Sequence, residues 1–73
     1  MHRGASVIQA TIAPTADGWR LDRALADAVP TLSRERLKVL IAGGKVERDG
    51  QLVREPARKA AAGETFAVTV PDP

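Results

Sequence analysis

The chain contains no cysteine, a single histidine, and only two aromatic side chains, Trp19 and Phe66. Without cysteine there can be no disulfide framework and no thiolate metal site, and His2 cannot assemble a metal cluster alone. Zinc fingers and zinc knuckles are therefore excluded, and neither a metal nor a cofactor is expected. With so few aromatics the core must be aliphatic and rich in alanine, which predicts modest stability. Apolar runs such as 39–42 fall far short of the roughly 20 residues that span a bilayer. The N-terminus also lacks the apolar centre of a signal peptide. A cytoplasmic protein without membrane contact is expected. Seventy-three residues allow one domain at most, expected to be monomeric. A self-contained enzyme fails on inventory: there is no nucleophile and base pair, no phosphate loop with its lysine, and too little chain to enclose a small-molecule substrate.

What the chain does have is an uneven placement of charge. The net charge is only +2, but between Ser33 and Lys59 eight basic residues face four acidic ones. The rest of the chain holds three basic and five acidic residues. The positive field belongs to the middle of the sequence, the pattern of a surface that meets a polyanion or an acidic partner.

The periodicities predict a short order of elements. Ile8, Ala10 and Ile12 alternate with Gln9 and Thr11 as in a half-buried strand over 7–12, which Pro14 stops. Leu21, Ala24, Leu25, Ala28 and Val29 fall on one stripe of a helix that Pro30 ends. Ser33 is placed to cap a second helix, with Leu32 and Leu37 at the two positions of a hydrophobic staple. Leu37, Leu40 and Ile41 face the first helix; Arg34 and Lys38 share one edge of that stripe, and Arg36 emerges at the other. Gly43-Gly44 supplies the left-handed residue that closes the helix. Asp49-Gly50 suits a two-residue type I′ turn between strands 45–48 and 51–53. Residues 54–62 read as an irregular surface connection. Phe66, Val68 and Val70 mark a last strand. Residues 1–6 are expected to be a disordered tail, 7–70 the folded domain, and 71–73 the start of a linker. The order strand, helix, helix, hairpin, loop, strand implies an α+β fold with two helices packed on a small antiparallel sheet.

The runs Arg20-Leu21-Asp22-Arg23-Ala24-Leu25 and Ser33-Arg34-Glu35-Arg36-Leu37-Lys38, followed by Ile41, Gly44, Lys45-Val46 and Asp49-Gly50, resemble the RNA-binding domain named after small-subunit ribosomal protein S4. The likeness covers residues 18–70, and is greatest to the form at the N-terminus of ribosomal large-subunit pseudouridine synthases. It implies an alpha-L RNA-binding motif, in which the two helices and the hairpin make one RNA-facing surface. Carried over to this sequence, that surface comprises Arg20, Arg23, Ser33, Arg34, Arg36, Lys38, Lys45 and Arg48, with its centre on Arg34, Arg36, Lys38 and Lys45. The hairpin departs from relatives that read Val-x-Val-Asn-Gly: Asp49 brings a carboxylate where they have an amide, so Asp49 is not counted among the contacts.

The run Arg20-Leu21-Asp22-Arg23 is also similar to the catalytic aspartate motif of these synthases. Trp19 stands where that motif has histidine, and no Thr-Ser-Gly follows. A carboxylate in the first turn of a helix is explained by the helix dipole, so no catalytic residue is assigned. Trp19 is read as a plug over the core rather than a base-stacking platform. The expectation is an RNA-binding module that positions a structured RNA, above all large-subunit ribosomal RNA, for a pseudouridine synthase catalytic domain outside this chain. The alternatives are a stand-alone or synthetase-appended RNA-binding domain, and a basic domain that docks on an acidic protein.

Overall fold

A computed structural model describes residues 6–71. Its elements are β1 (Ser6–Thr11), a 3-10 turn (Pro14–Ala16), α1 (Leu21–Ala28), α2 (Arg34–Ala42), β2 (Val46–Arg48), β3 (Gln51–Leu52) and β4 (Thr65–Val70). The strands form one antiparallel sheet in the order β1-β4-β2-β3. The two helices pack on one face of it, so the fold is α+β as the periodicities predict. Ser6, assigned to the tail by the sequence, opens β1 opposite Val70. The rest of that expected tail, and the last two residues of the expected linker, lie outside the described residues.

The core forms where the two periodicities meet. Ala10 from β1, Ile12 just after it, Phe66 and Val68 from β4, and Val46 from β2 meet Leu21, Ala24 and Leu25 of α1 and Leu37, Leu40 and Ile41 of α2, all buried. Phe66, the largest of them, is fully enclosed. Leu32 packs against this cluster from the turn before α2, and Leu37 is buried, as the staple requires.

The helix ends follow different rules. At α2, the Ser33 hydroxyl accepts from the Arg36 N–H at 3.0 Å, satisfying one free donor of the first turn. The other end closes as a Schellman motif: the Gly44 N–H donates to the Ile41 carbonyl and the Lys45 N–H to the Leu40 carbonyl, with Gly44 at φ +78°. At α1 the N-cap residue, Arg20, makes no side-chain capping hydrogen bond. Instead the Leu21 N–H donates to the Arg58 carbonyl at 2.7 Å and the Asp22 N–H to the Pro56 carbonyl at 3.2 Å. The connection over 54–62 is irregular as expected, but it is more than a surface crossing. It runs back along the entry to α1, exchanging hydrogen bonds between Ala60 and both Gly18 and Trp19, and it buries Ala60. The hairpin turns at Asp49 (φ +52°) and Gly50 (φ +80°), the two positive values a type I′ turn needs.

Candidate nucleic-acid interface

The eight basic or polar residues singled out in the sequence do not form one uniform patch. They differ in how far other groups engage them. Arg20 precedes α1 and Arg34 begins α2, and the two are joined through Asp22. Arg20 donates from Nε to Oδ1 at 3.1 Å and from Nη2 to Oδ2 at 3.2 Å. Arg34 brings its Nε to 3.4 Å from Oδ2. The Arg23 backbone N–H donates to Oδ1 at 2.8 Å. The Asp22 side chain is wholly buried, while about half of each arginine side chain remains exposed, 46% for Arg20 and 48% for Arg34. Burial pushes the Asp22 carboxyl up, but the hydrogen bonds from Arg20 and Arg23 and the charge of Arg34 outweigh it and hold the group below the usual carboxylate range. The hydrogen bonds to Asp22 and its charge in turn raise Arg20.

The helix dipole alone therefore does not account for Asp22. The sequence pattern locates the residue in the first turn of α1, whereas the fold makes it the common partner of two arginines from two helices. Both oxygens of this enclosed carboxylate are engaged by donors of the chain itself.

The remaining residues divide by whether their charge is already engaged. Ser33 uses its hydroxyl on the α2 cap. Arg23 lies over the Trp19 ring, 3.9 Å from its centroid, and Trp19 packs half-buried against the core, in keeping with a plug. Lys38 stands 3.4 Å from Glu35, an exposed pair of little energetic weight. Arg36 is exposed at the far edge of α2, and Lys45 follows the Schellman turn. Among the described residues neither has a carboxylate within ion-pair distance. Arg48 differs: its Nε lies 3.1 Å from Glu64, which also binds Arg58 at 3.0 Å. The fold thus engages Arg48 in a second carboxylate node, apart from the one at Asp22. Burial pushes Glu64 up, but the Ala61 N–H and the two arginines hold it low.

Two further cations join the surface without any signal in the sequence. The Arg54 guanidinium rests over Gly44, where an added Cβ would lie 3.4 Å from its Nε. That sets Arg54 beside Lys45 at the C-terminus of α2, and a glycine leaves the space for it. The backbone of Lys59 stands opposite Arg20 in an isolated antiparallel bridge. Both come from the connection that periodicity left as irregular.

With this geometry in place, comparison with known proteins identifies the class. The model of the S4 domain matches residues 19–66, from Trp19 through the helices and hairpin to Phe66. The chain belongs to the S4 domain family, whose members support an RNA-binding role. The chain is 50% identical over 66 residues to the ribosomal large subunit pseudouridine synthase D of Zymomonas mobilis, covering 89% of this chain and 21% of that protein. It is 44% identical over 54 residues to an uncharacterized RNA pseudouridine synthase of Aquifex aeolicus, covering 74% and 17% respectively. To the ribosomal large subunit pseudouridine synthase D of Yersinia pestis it is 38% identical over 61 residues, covering 84% and 19%. The chain spans about a fifth of the length of these relatives. No helix among the described residues is long and apolar enough to cross a membrane.

Proposed function

We propose that this domain binds structured RNA through the face formed by the start of α1, the exposed side of α2 and the turn into β2. On this reading it delivers large-subunit ribosomal RNA to a pseudouridine synthase catalytic domain. The observation that carries the reading is the convergence of Arg20 and Arg34 at the paired N-termini of two helices, continued along α2 by Lys38 and across the glycine turn by Lys45. Guanidinium and ammonium groups in that row meet phosphates and release counterions, while the rigid helix pair supplies a shape that structured RNA can match. Arg36, Arg23 and Ser33 flank the row. Arg48, half engaged by Glu64, stands at its margin. The names of the relatives support the RNA target; the match of the S4 domain to residues 19–66, with the chain spanning about a fifth of those relatives, supports a division of labour in which this domain supplies affinity and another supplies chemistry.

The test is binding of the 73-residue chain to protein-free bacterial large-subunit ribosomal RNA across a salt series. Replacing Arg34, Lys38 and Lys45 by glutamine should flatten the slope of log affinity against log salt by about two units, because each phosphate contact contributes roughly 0.7 to 0.9. The far-ultraviolet spectrum should stay folded, since Lys38 and Lys45 are surface charges that seldom contribute more than about 1 kcal/mol each, and Asp22 keeps its hydrogen bonds from Arg20 and the Arg23 N–H when Arg34 is replaced. An unchanged slope would overturn the location of the face. The same RNA incubated with the chain alone should yield no pseudouridine; product above that of an Asp22→Ala control would overturn the assignment of chemistry to another domain.

A further inference from the structure

We infer that Asp22 is a positioning residue for RNA binding: it sets Arg20 and Arg34 as a two-pronged seat for one backbone phosphate. The inference rests on the proposed RNA-binding face and adds to it a group of the wrong sign. A buried carboxylate beside a polyanion site is unfavourable on charge alone, and its desolvation is costly. Its geometry offers the compensation. Arg20 gives two N–H donors to Asp22 and, of the five a guanidinium carries, keeps three. Arg34 brings its Nε to 3.4 Å from the same carboxylate as an ion pair without a hydrogen bond. Arg20 is thus fixed by hydrogen bonds and Arg34 is drawn by charge toward the same anchor, and each keeps N–H donors for a further partner. Two guanidiniums held this way present a planar, multiply donating site, the chemistry that recognises a phosphate in preference to a single carboxylate.

Fixing the side chains beforehand matters because immobilising a rotamer-rich side chain at the moment of binding weakens affinity, by about three- to tenfold for each arginine. Arg20, bonded twice and from a backbone position pinned by its bridge to Lys59, is the firmer prong. Arg34, held once at the first residue of α2, is the more adjustable.

The sign of the charge change makes the inference testable. Asp22→Asn removes a negative charge and nearly preserves shape, so a diffuse electrostatic attraction would strengthen RNA binding. If Asp22 positions the seat, binding of bacterial large-subunit ribosomal RNA should instead weaken by about three- to tenfold. Asp27→Asn, an exposed carboxylate on α1 with no ion pair among the described residues, makes the same charge change and should bind as tightly as the parent or slightly more so. Equal affinities for the two variants would overturn the inference while leaving the RNA-binding face intact. If the parent chain itself shows no salt-dependent RNA binding, the underlying reading fails first.

Should Asp22→Asn lose its fold, the parent chain decides by nuclear magnetic resonance. The Nε–H signal of Arg20, hydrogen-bonded to Asp22, should exchange with water several-fold more slowly than that of Arg36, and the signals of Arg20 and Arg34 should shift together on RNA addition. Exchange as fast as that of Arg36, or a shift of only one of the two, would overturn the shared seat.

Discussion

The Glu64 carboxylate holds the Arg48 guanidinium at 3.1 Å, Oε2 to Nε, and so ties the β2–β3 hairpin to the turn that opens β4. Glu64 is only 10% exposed and binds Arg58 and the Ala61 N–H as well, so its loss frees several partners at once. Glu64→Gln should lower stability by about 1–3 kcal/mol, the range for hydrogen bonds to a charged group. Arg48→Gln removes one partly exposed partner and should cost less than about 1 kcal/mol. Urea unfolding followed by circular dichroism checks both values. Equal losses would mean that Glu64 acts through Arg48 alone.

Acid should unfold the domain through two engaged carboxylates, the buried Asp22 and the half-buried Glu64. Asp22 and Glu64 are both held below the usual carboxylate range in the folded chain, whereas in the unfolded chain such groups titrate near about pH 4. The unfolded state therefore takes up protons first as the pH falls. Their contribution to stability is full above about pH 4 to 4.5 and is lost as the pH drops through the folded-state values. Urea midpoints measured from pH 7 to pH 2 should hold steady and then decline below that point. A chain carrying both Asp22→Asn and Glu64→Gln should start lower and show a shallower decline.

On α2, two apolar residues two positions apart should behave oppositely. Leu37 is fully buried at the helix–helix contact and Val39 is 67% exposed. Leu37→Ala should cost about 2–5 kcal/mol through lost burial and the cavity it leaves. Val39→Ala should stay within about 0.5 kcal/mol. Thermal melts of the two variants test the rotation of α2, because a helix turned by a quarter would even out the losses.

Gly44 has two reasons to be glycine. Its φ of +78° is unfavourable for any residue with a Cβ, so Gly44→Ala should cost about 1–2 kcal/mol. The new methyl would also meet the Arg54 guanidinium, the flexible end of a long side chain, which can move aside. The stability loss should therefore follow the backbone strain, while RNA affinity should fall further than in an Arg54→Gln chain, because Lys45 would move with the distorted turn. An RNA affinity equal to that of Arg54→Gln would show that the turn holds its shape.

Local signals made much of the fold legible. Ser33 and the Leu32–Leu37 pair announce the start of α2 because caps and staples involve residues a few positions apart. Asp49-Gly50 announces its hairpin because two consecutive positive φ values leave few other choices. Two acceptors at the start of α1 leave no mark in the sequence because they are the backbone carbonyls of Pro56 and Arg58, and carbonyls carry no residue identity. Asp22 was visible as a first-turn carboxylate, but its second arginine lies twelve positions away and meets it only when α1 and α2 pack. Glu64 and Arg54 were hidden for the same reason: their partners come from distant strands and turns. The positions of the charges could be read in advance, whereas their pairing depended on the tertiary structure.

The place of β4 in the sheet also governs when the domain can come into being. β4 lies between β1 and β2, pairing Ser6 with Val70 and Thr11 with Thr65 along one side and Val46 with Val68 along the other. A nascent chain emerging from the ribosome would present β1, both helices and the hairpin before this strand arrives. Until then β1 and β2 have no common neighbour, and Phe66 and Val68 have not yet filled the centre of the core. The helices and hairpin can form local contacts early, but closing the sheet requires the most distant pairings in the chain, which slows folding for so small a domain. Synthesis must therefore pass Val70 before the sheet can close, and the basic face gains its rigid support in that final step.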